Sequence, residues 1–246
     1  MENKKSIAVD AKIYQKLVAL KKEGESIEDV VGHLVDQATT ADRNWGWRGS
    51  CKLVVLGPEN AGKSMILKSF FENKDPRQLL SDFLLPTKTI EECVYQWLDV
   101  KVNVVEIGGV ELDRVLNEGA KQAFSKANAI IYVFEMKAWE KDKEKIIADL
   151  AKISKLAVNL APDASIECFI HKVDVLEKAK REAFADQVQA NLVAGLKRAG
   201  ARGNVEIHAT SLVPGHELEV FRVLRNLLFK HSSILRQALL PGFLRV

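Results

Sequence analysis

Residues 57–64 read Gly57-Pro58-Glu59-Asn60-Ala61-Gly62-Lys63-Ser64. This is the complete pattern G-x-x-x-x-G-K-[ST], in which consecutive backbone N–H groups surround the α and β phosphates of a nucleotide. In such a loop we expect Lys63 to reach the β and γ phosphates and the Ser64 hydroxyl to bind Mg²⁺. The eight residues therefore predict a nucleotide-binding loop between a strand and a helix.

The flanking sequence fits that prediction. Residues 51–56 form a near-continuous apolar run, which is typical of a buried parallel strand. Residues 64–71 then have the apolar spacing of a helix, whose positive end would point at the phosphates. A glycine-containing turn without a ligand is the alternative, but it gives no reason for Lys63 and Ser64 at these positions.

The composition is that of a globular protein with one large domain, or a medium domain and a small one. The chain has 246 residues, of which 47% are hydrophobic and 28% charged. Its net charge of +3 produces no strong field toward nucleic acid or membrane. We find no signal peptide, long apolar span or lipidation pattern, and therefore expect no intrinsic membrane anchor and a cytoplasmic location.

Cysteine and histidine positions argue against a zinc site and against disulfides. The chain has three cysteines, an odd number, and all lie in apolar, strand-like runs: Cys51, Cys93 and Cys168. We therefore expect buried reduced thiols. The histidines show no metal-ligand spacing and predict no zinc site; they are His33, His171, His208, His216 and His231.

Residues 1–44 form a separate module in this interpretation. They predict one short strand and two short helices, which cannot bury their apolar faces alone and should dimerise or pack on the rest of the chain. The pattern resembles the ribbon-helix-helix module of antitoxin-type repressors, in which paired strands enter the DNA major groove. Ala8, at a DNA-facing position, can contact only a thymine methyl, so we favour dimerisation over DNA binding. Residues 45–50 are the predicted linker.

Strands and helices alternate from Cys51 onward, and residues 51–246 are predicted to be a GTPase domain. The expected fold class is α/β, a P-loop GTPase fold with a six-stranded, mostly parallel sheet, one antiparallel strand and about five helices. Strands are expected at 51–56, 92–98, 100–107, 129–134, 165–170 and 205–210, and helices at about 63–72, 112–126, 141–159, 178–199 and 215–237. The short turn at Asp99 makes the second and third strands antiparallel.

One motif after the fifth strand predicts which nucleotide base is bound, and it reads His171-Lys172-Val173-Asp174. An Asp174 carboxylate can accept hydrogen bonds from guanine N1–H and N2–H₂, whereas adenine offers neither donor there. The Lys172 stem can lie along the face of the base. Thr210 and Ser211 end the last strand, where backbone amides can support the guanine carbonyl. The sequence therefore favours GTP and GDP over ATP.

A second group of residues predicts the Mg²⁺ and γ-phosphate side of the site. Thr87, in the run 86–89, can offer its hydroxyl to Mg²⁺ and its N–H to the γ-phosphate, with Thr89 held in reserve. Glu106 ends the third strand, and its carboxylate can hold Mg²⁺ through water. Gly109 can place an N–H on the γ-phosphate.

With these pieces the chain resembles a small Ras-type GTPase of the Rag/Gtr family over about residues 51–232, with an Arf-type GTPase as the alternative. His171-Lys172-Val173-Asp174 matches the His-Lys-x-Asp of that family, and the runs 130–135 and 162–163 also resemble it. The resemblance implies Mg²⁺ and GTP or GDP as ligands. It also implies roles for Lys63 and Ser64 at the phosphates and for Thr87 in the first switch.

The chain departs from that family at two positions that bear on catalysis. Glu106 replaces the usual Asp, and the extra methylene can misplace a Mg²⁺-bound water. Val110 replaces the Gln that orients the attacking water, and no residue is assigned as catalytic. We therefore expect slow GTP hydrolysis.

The family's roadblock dimerisation domain has no counterpart before Val246. Residues 1–44 are the expected substitute, forming a homodimer or a heterodimer with a related GTPase, and roadblock-type or regulatory proteins are possible partners. Three functions remain open at this point: a GTP-dependent switch, a scaffold with a degenerate GTPase domain, and a DNA-binding regulator controlled by nucleotide.

Overall fold

The computed structural model describes residues 26–27, 49–81, 87, 89–118, 121–201, 205–213 and 218–231. The chain divides into two units, residues 1–46 and 47–246, and only the second is described in detail. The predicted strand-helix-helix module at 1–44 lies outside the described residues, apart from Ser26 and Ile27. The same holds for the predicted linker, apart from Gly49 and Ser50.

The second unit is built on a six-stranded sheet. Its strands are β1 (Gly49–Leu56), β2 (Ile90–Trp97), β3 (Val100–Ile107), β4 (Ala129–Glu135), β5 (Ser165–His171) and β6 (Val205–Ala209). They lie in the order β2-β3-β1-β4-β5-β6. Only the β2–β3 pair is antiparallel, because a two-residue turn at Leu98 and Asp99 joins the two strands directly. The other neighbours pair in parallel, so their carboxyl ends share one edge of the sheet.

Seven α-helices have described bounds in this unit. They are α1 (Lys63–Phe71), α2 (Pro76–Ser81), α3 (Leu112–Glu118), α4 (Lys121–Phe124), α5 (Met136–Leu160), α6 (Lys178–Arg198) and α7 (Leu218–Phe229). Single 3₁₀ turns occupy Gly109–Glu111 and Val173–Val175. No helix in the described ranges is both long and apolar enough to cross a lipid bilayer.

Helices cover both faces of the sheet. Alternate residues of each buried strand point to opposite sides, so each central strand contributes to two cores. Val54 and Leu56 belong to the core on the face covered by α3 to α6. Leu53 and Val55 belong to the core on the face covered by α1 and α7. The central strands are therefore apolar on both faces and form the middle of a three-layer α/β/α arrangement.

The helices differ from the sequence prediction at two places. The stretch expected at 112–126 is helical over its described parts, α3 and α4, and residues 119–120 lie outside the described residues. Helix α2 was not predicted. Asp75 precedes this helix and accepts a hydrogen bond from the backbone N–H of Arg77, and Pro76 is the first residue of the helix. Helix α5 begins at Met136, and the start expected at 141 coincides with a kink at Asp142.

One cysteine prediction was wrong. Cys51 and Cys168 are buried free thiols, and burial raises the pKa of the Cys51 thiol to about 12. Cys93 is free but exposed. It lies on β2, one of the two edge strands of the described sheet, where Glu91 to Val94 are all exposed. The apolar residues around Cys93 predicted a buried thiol. An edge strand has a neighbouring strand on one side only, so its side chains are less fully covered.

Candidate nucleotide-binding site

The loop at residues 57–62 connects β1 to α1 at the carboxyl edge of the sheet. Gly62 precedes the helix with φ +94°, a conformation that L side chains rarely adopt, and a Cβ there would lie 2.7 Å from Cδ2 of His171. Its carbonyl accepts the first helical hydrogen bond, from the Ile66 N–H. The first turn of α1 has no acidic residue, so its free N–H groups remain suited to an anion.

Lys63 is the buried cation of this loop. Its side chain curls back so that Nζ donates to the carbonyls of Gly57 at 2.9 Å and Pro58 at 2.8 Å. Burial lowers the pKa of Lys63, while Glu106 and Glu59 oppose that shift. The ammonium therefore lies within the loop that the sequence assigns to phosphates, close to two carboxylates.

Ser64, Thr87 and Glu106 converge beside the loop. The Ser64 hydroxyl donates to Glu106 Oε1 at 2.6 Å and lies 3.1 Å from Thr87 Oγ1. Thr87 also donates to Glu106 Oε1 at 3.3 Å. Glu106 is buried, and desolvation raises its pKa, partly offset by the hydrogen bond from Ser64 and by the charge of Lys63. Two hydroxyls and one carboxylate are oxygen ligands of the kind that Mg²⁺ takes, so these three residues suit that ion.

Gly109 holds the loop after β3 against the phosphate loop. A Cβ at Gly109 would lie 2.2 Å from the Glu59 backbone nitrogen, so no larger residue fits there. The Gly108 N–H donates to the Thr89 carbonyl at 3.0 Å. Thr89 thus contributes its backbone to this contact, whereas Thr87 contributes a hydroxyl beside Ser64.

Val110 follows the two glycines, and its side chain is 58% exposed. It has no group that can hydrogen-bond to water. The next residue, Glu111, forms an ion pair with Arg114 of α3, and Arg114 also lies 3.8 Å from Glu118. The segment therefore presents an apolar side chain followed by paired surface charges.

Lys172 links the predicted base-recognition motif to the predicted phosphate loop. Its backbone is left-handed, with φ 61°, and its Nζ donates to the Asn60 carbonyl at 2.6 Å and to Glu135 Oε2 at 3.0 Å. The sequence analysis gave Glu135 no role. The signal was its position, since it ends β4 at the edge where the other site residues follow their strands.

The remaining base-site residues form two pairs between the ends of β5 and β6. Asp174 Oδ1 accepts a 2.6 Å hydrogen bond from the Ser211 hydroxyl, and His171 Nδ1 lies 3.0 Å from Thr210 Oγ1. Burial lowers the pKa of His171 to about 4, helped by the charge of Lys172 and opposed by Asp174. The imidazole is therefore neutral at pH 7, while the adjacent Asp174 carboxylate can face a ligand.

The structure thus places the predicted residues at one edge of the sheet. Ala61 is buried, residues 57–62 connect β1 to α1, and Lys63 and Ser64 begin that helix. Ser64, Thr87 and Glu106 form one group, while His171, Asp174, Thr210 and Ser211 form the other. Lys172 connects that second group to the phosphate loop.

The architecture is that of a P-loop GTPase fold. The solved structure of the mammalian SRP receptor superposes on it with a TM-score of 0.54 and 14% identity, covering 72% of this chain and 99% of the other. That likeness concerns the fold alone.

Sequence comparison identifies the family. Residues 52–239 match the Gtr1/RagA G protein conserved region. The chain is 25% identical over 148 residues to GTP-binding protein gtr1 of Schizosaccharomyces pombe, covering 58% of this chain and 46% of the relative. It is 27% identical to GTP-binding protein GTR1 of Saccharomyces cerevisiae, covering 57% and 45%. The chain therefore belongs to the Gtr1/RagA family of G proteins, although it spans about half the length of the curated relatives that it matches.

Proposed function

We propose that this protein is a regulatory switch that binds GTP and GDP with Mg²⁺ and hydrolyses GTP slowly. The observation that carries the proposal is the contact between the two halves of the site. Lys172 of the base motif donates to the carbonyl of Asn60 in the phosphate loop at 2.6 Å. That contact holds a guanine-type recognition motif at a fixed position relative to a phosphate-binding loop.

Guanine selectivity follows from Asp174. Its carboxylate accepts a hydrogen bond from Ser211 on one oxygen, and the remaining acceptor positions match the paired N1–H and N2–H₂ donors of guanine. Adenine presents no such pair, so a bound adenine would leave the carboxylate desolvated without donors, at a cost of about 1–3 kcal/mol or more.

The Mg²⁺ site is proposed at Ser64, Thr87 and Glu106. Glu106 Oε1 accepts a hydrogen bond directly from the Ser64 hydroxyl. The glutamate carboxylate therefore lies beside the hydroxyl that would bind Mg²⁺, although its side chain is one methylene longer than the Asp of the family pattern. When bound, the ion would neutralise charge between the β and γ phosphates, and these three residues would hold it there.

Slow hydrolysis is proposed from Val110. An exposed valine after Gly108 and Gly109 cannot orient an attacking water, and Glu111 is occupied by Arg114. A partner protein would then be needed for rapid turnover, and the loops near 73–90 and 108–120 would contact that partner.

A scaffold with a nucleotide-binding but inactive domain is the second candidate, and the same exposed Val110 favours it. The two candidates differ in whether nucleotide state changes during turnover. Single-turnover hydrolysis of bound GTP separates them, because a scaffold would leave GTP intact over hours whereas a slow switch would convert it to GDP.

Titration with fluorescent GDP, competed by GTP and by ATP with and without Mg²⁺, tests the main proposal. We expect GTP and GDP to compete at similar concentrations and ATP to compete at least a hundredfold more weakly. Asp174→Ala should remove that selectivity, while Asp163→Ala, an exposed aspartate in the loop before β5, serves as the matched control. Equal competition by ATP and GTP would overturn the proposal.

A further inference from the structure

Three chemistry-bearing side chains meet on β5 and β6, on the sheet face covered by α7. Glu167 pairs in register with Glu206, and Phe169 with His208. Alternation along each strand places Glu167, Glu206 and His208 on the same face. One ligand atom from each of the three lies within 4.8 Å of the other two. This cluster is separate from Ser64, Thr87 and Glu106.

Glu167 is the buried member of the cluster. Its side chain is 3% exposed, and His208 Nε2 lies 2.8 Å from its Oε2. Within the described ranges, His208 is its only ion-pair partner. The neighbouring Glu206 carries charge of the same sign, so a cation shared by the two carboxylates would relieve both repulsion and desolvation.

The orientation of His208 is held from its other side. Nδ1 lies 3.6 Å from Glu219 Oε1. Arg222 holds Glu219 in place through two hydrogen bonds, of 2.8 and 2.6 Å. His208 therefore keeps Nε2 directed at Glu167, and a metal ion bound to both groups would take the place of the proton between them.

We propose that Glu167, Glu206 and His208 bind a divalent transition-metal ion of the Zn²⁺ class. Ligand bonds of about 2.0–2.2 Å place the ligand atoms of one tetrahedral ion about 3.4 Å apart. Binding requires the 2.8 Å contact between Glu167 and His208 to open to that value, and the exposed Glu206 side chain can change rotamer to meet the ion. The imidazole nitrogen favours a Zn²⁺-type ion, because Mg²⁺ and Ca²⁺ take oxygen ligands.

The ion would join β5 to the edge strand β6. Glu219 and Arg222 would orient His208 without touching the metal, as is common for histidine ligands. β5 ends at His171 and Thr210 directly follows β6, so the ion would stabilise the strands beside the proposed base-recognition residues. The metal site itself does not depend on the proposed nucleotide function.

Titration of the full-length protein with Zn²⁺, and with Co²⁺ as a spectroscopic substitute, tests the proposal. The protein is first stripped with a chelator and then held in excess Mg²⁺ and GDP. We expect one ion per chain and a visible Co²⁺ absorption from a mixed nitrogen and oxygen site. We also expect a rise in Tm of roughly 5–10 °C at a hundredfold excess of Zn²⁺ over its Kd.

Two variants locate the ion. Glu206→Gln changes an exposed residue, so it should leave the fold intact while weakening Zn²⁺ binding at least tenfold. His208→Gln should abolish the Co²⁺ absorption. Glu92→Gln, an exposed glutamate on the opposite edge strand, is the matched control and should bind as the unmodified chain does. Absence of saturable binding, or equal binding by Glu206→Gln and the unmodified chain, would overturn the proposal.

Discussion

The Ser64 hydroxyl donates a 2.6 Å hydrogen bond to Glu106 Oε1, and this contact joins the phosphate loop to the end of β3. The family pattern has a shorter Asp at the second position. A glutamate side chain spans the extra distance and reaches the hydroxyl directly. The substitution therefore preserves an oxygen cluster for a cation, which makes the Mg²⁺ dependence of nucleotide binding the first property to measure.

Glu106→Gln should reduce the effect of Mg²⁺ on GDP release. The amide keeps the size of the side chain but loses the charge that attracts the ion. We therefore expect the ratio of the GDP release rate in chelator to the rate in Mg²⁺ to be at least tenfold smaller than in the unmodified protein. Release of fluorescent GDP into excess GDP, with Mg²⁺ or with chelator, measures the ratio. Glu92→Gln is the control, and an unchanged ratio in Glu106→Gln would remove this residue from the Mg²⁺ site.

Val110→Gln should accelerate hydrolysis of bound GTP by roughly tenfold, because the amide can orient the attacking water. Val110→Ala removes the same apolar side chain without supplying that group. Single-turnover phosphate release at saturating Mg²⁺ compares the three proteins. If Val110→Ala raises the rate of phosphate release as much as Val110→Gln does, the gain comes from removing an apolar obstruction and not from positioning the attacking water.

Asp174→Asn should exchange guanine for xanthine selectivity. The amide replaces one acceptor by a donor, which no longer fits guanine N2–H₂ but does fit the carbonyl oxygen of xanthine at that position. We expect GDP to bind at least a hundredfold more weakly and xanthosine diphosphate to bind more tightly than GDP. Competition against fluorescent GDP measures the first change, and calorimetry the second. Retained preference for GDP would place the base elsewhere.

His171 should make the folded state sensitive to mild acid. Burial lowers the pKa of His171 to about 4, whereas a histidine in the unfolded chain titrates near 6.5. Because the unfolded state binds the proton first, this contribution to stability is complete above pH 6.5 and is lost as the pH falls toward 4. The loss should be roughly 2 kcal/mol between pH 7.5 and pH 5.

Urea unfolding without added nucleotide at both pH values measures that loss. His171→Asn keeps a polar partner for Thr210 but removes the titrating ring, so its stability should fall less over the same interval. Other groups titrate in both proteins, and the difference between them isolates the histidine. Parallel losses in the two proteins would contradict the assignment.

Residues 1–44 should hold two copies of the chain together. Light scattering should give a dimeric mass for the full-length protein and a monomeric mass for a chain beginning at Asn44, because the module alone lacks enough apolar burial for a monomer. If both are monomers, dimerisation through this segment is excluded.

Local patterns predicted most of the fold. Near-continuous apolar runs marked the strands, because strands buried on both faces need apolar residues at every position. Short elements were harder, since the start of α2 depends on Asp75 and Pro76 alone. The exposure of Cys93 was missed because strand order decides which strand is outermost.

The cluster of Glu167, Glu206 and His208 shows the same limit. Its members lie far apart in the chain, and no sequence spacing joins them. Only the pairing of β5 with β6 brings them onto one face.

By itself, the sequence determined the α/β class and predicted a phosphate loop and the Lys172 and Asp174 motif, because each depends on residues close together in the chain. The tertiary structure alone decided that Ser64, Thr87 and Glu106 meet, that Lys172 reaches Asn60, and which side chains are buried. Those contacts arise from parallel pairing, which places the carboxyl ends of distant strands at one edge, and local sequence carries no record of which strands become neighbours.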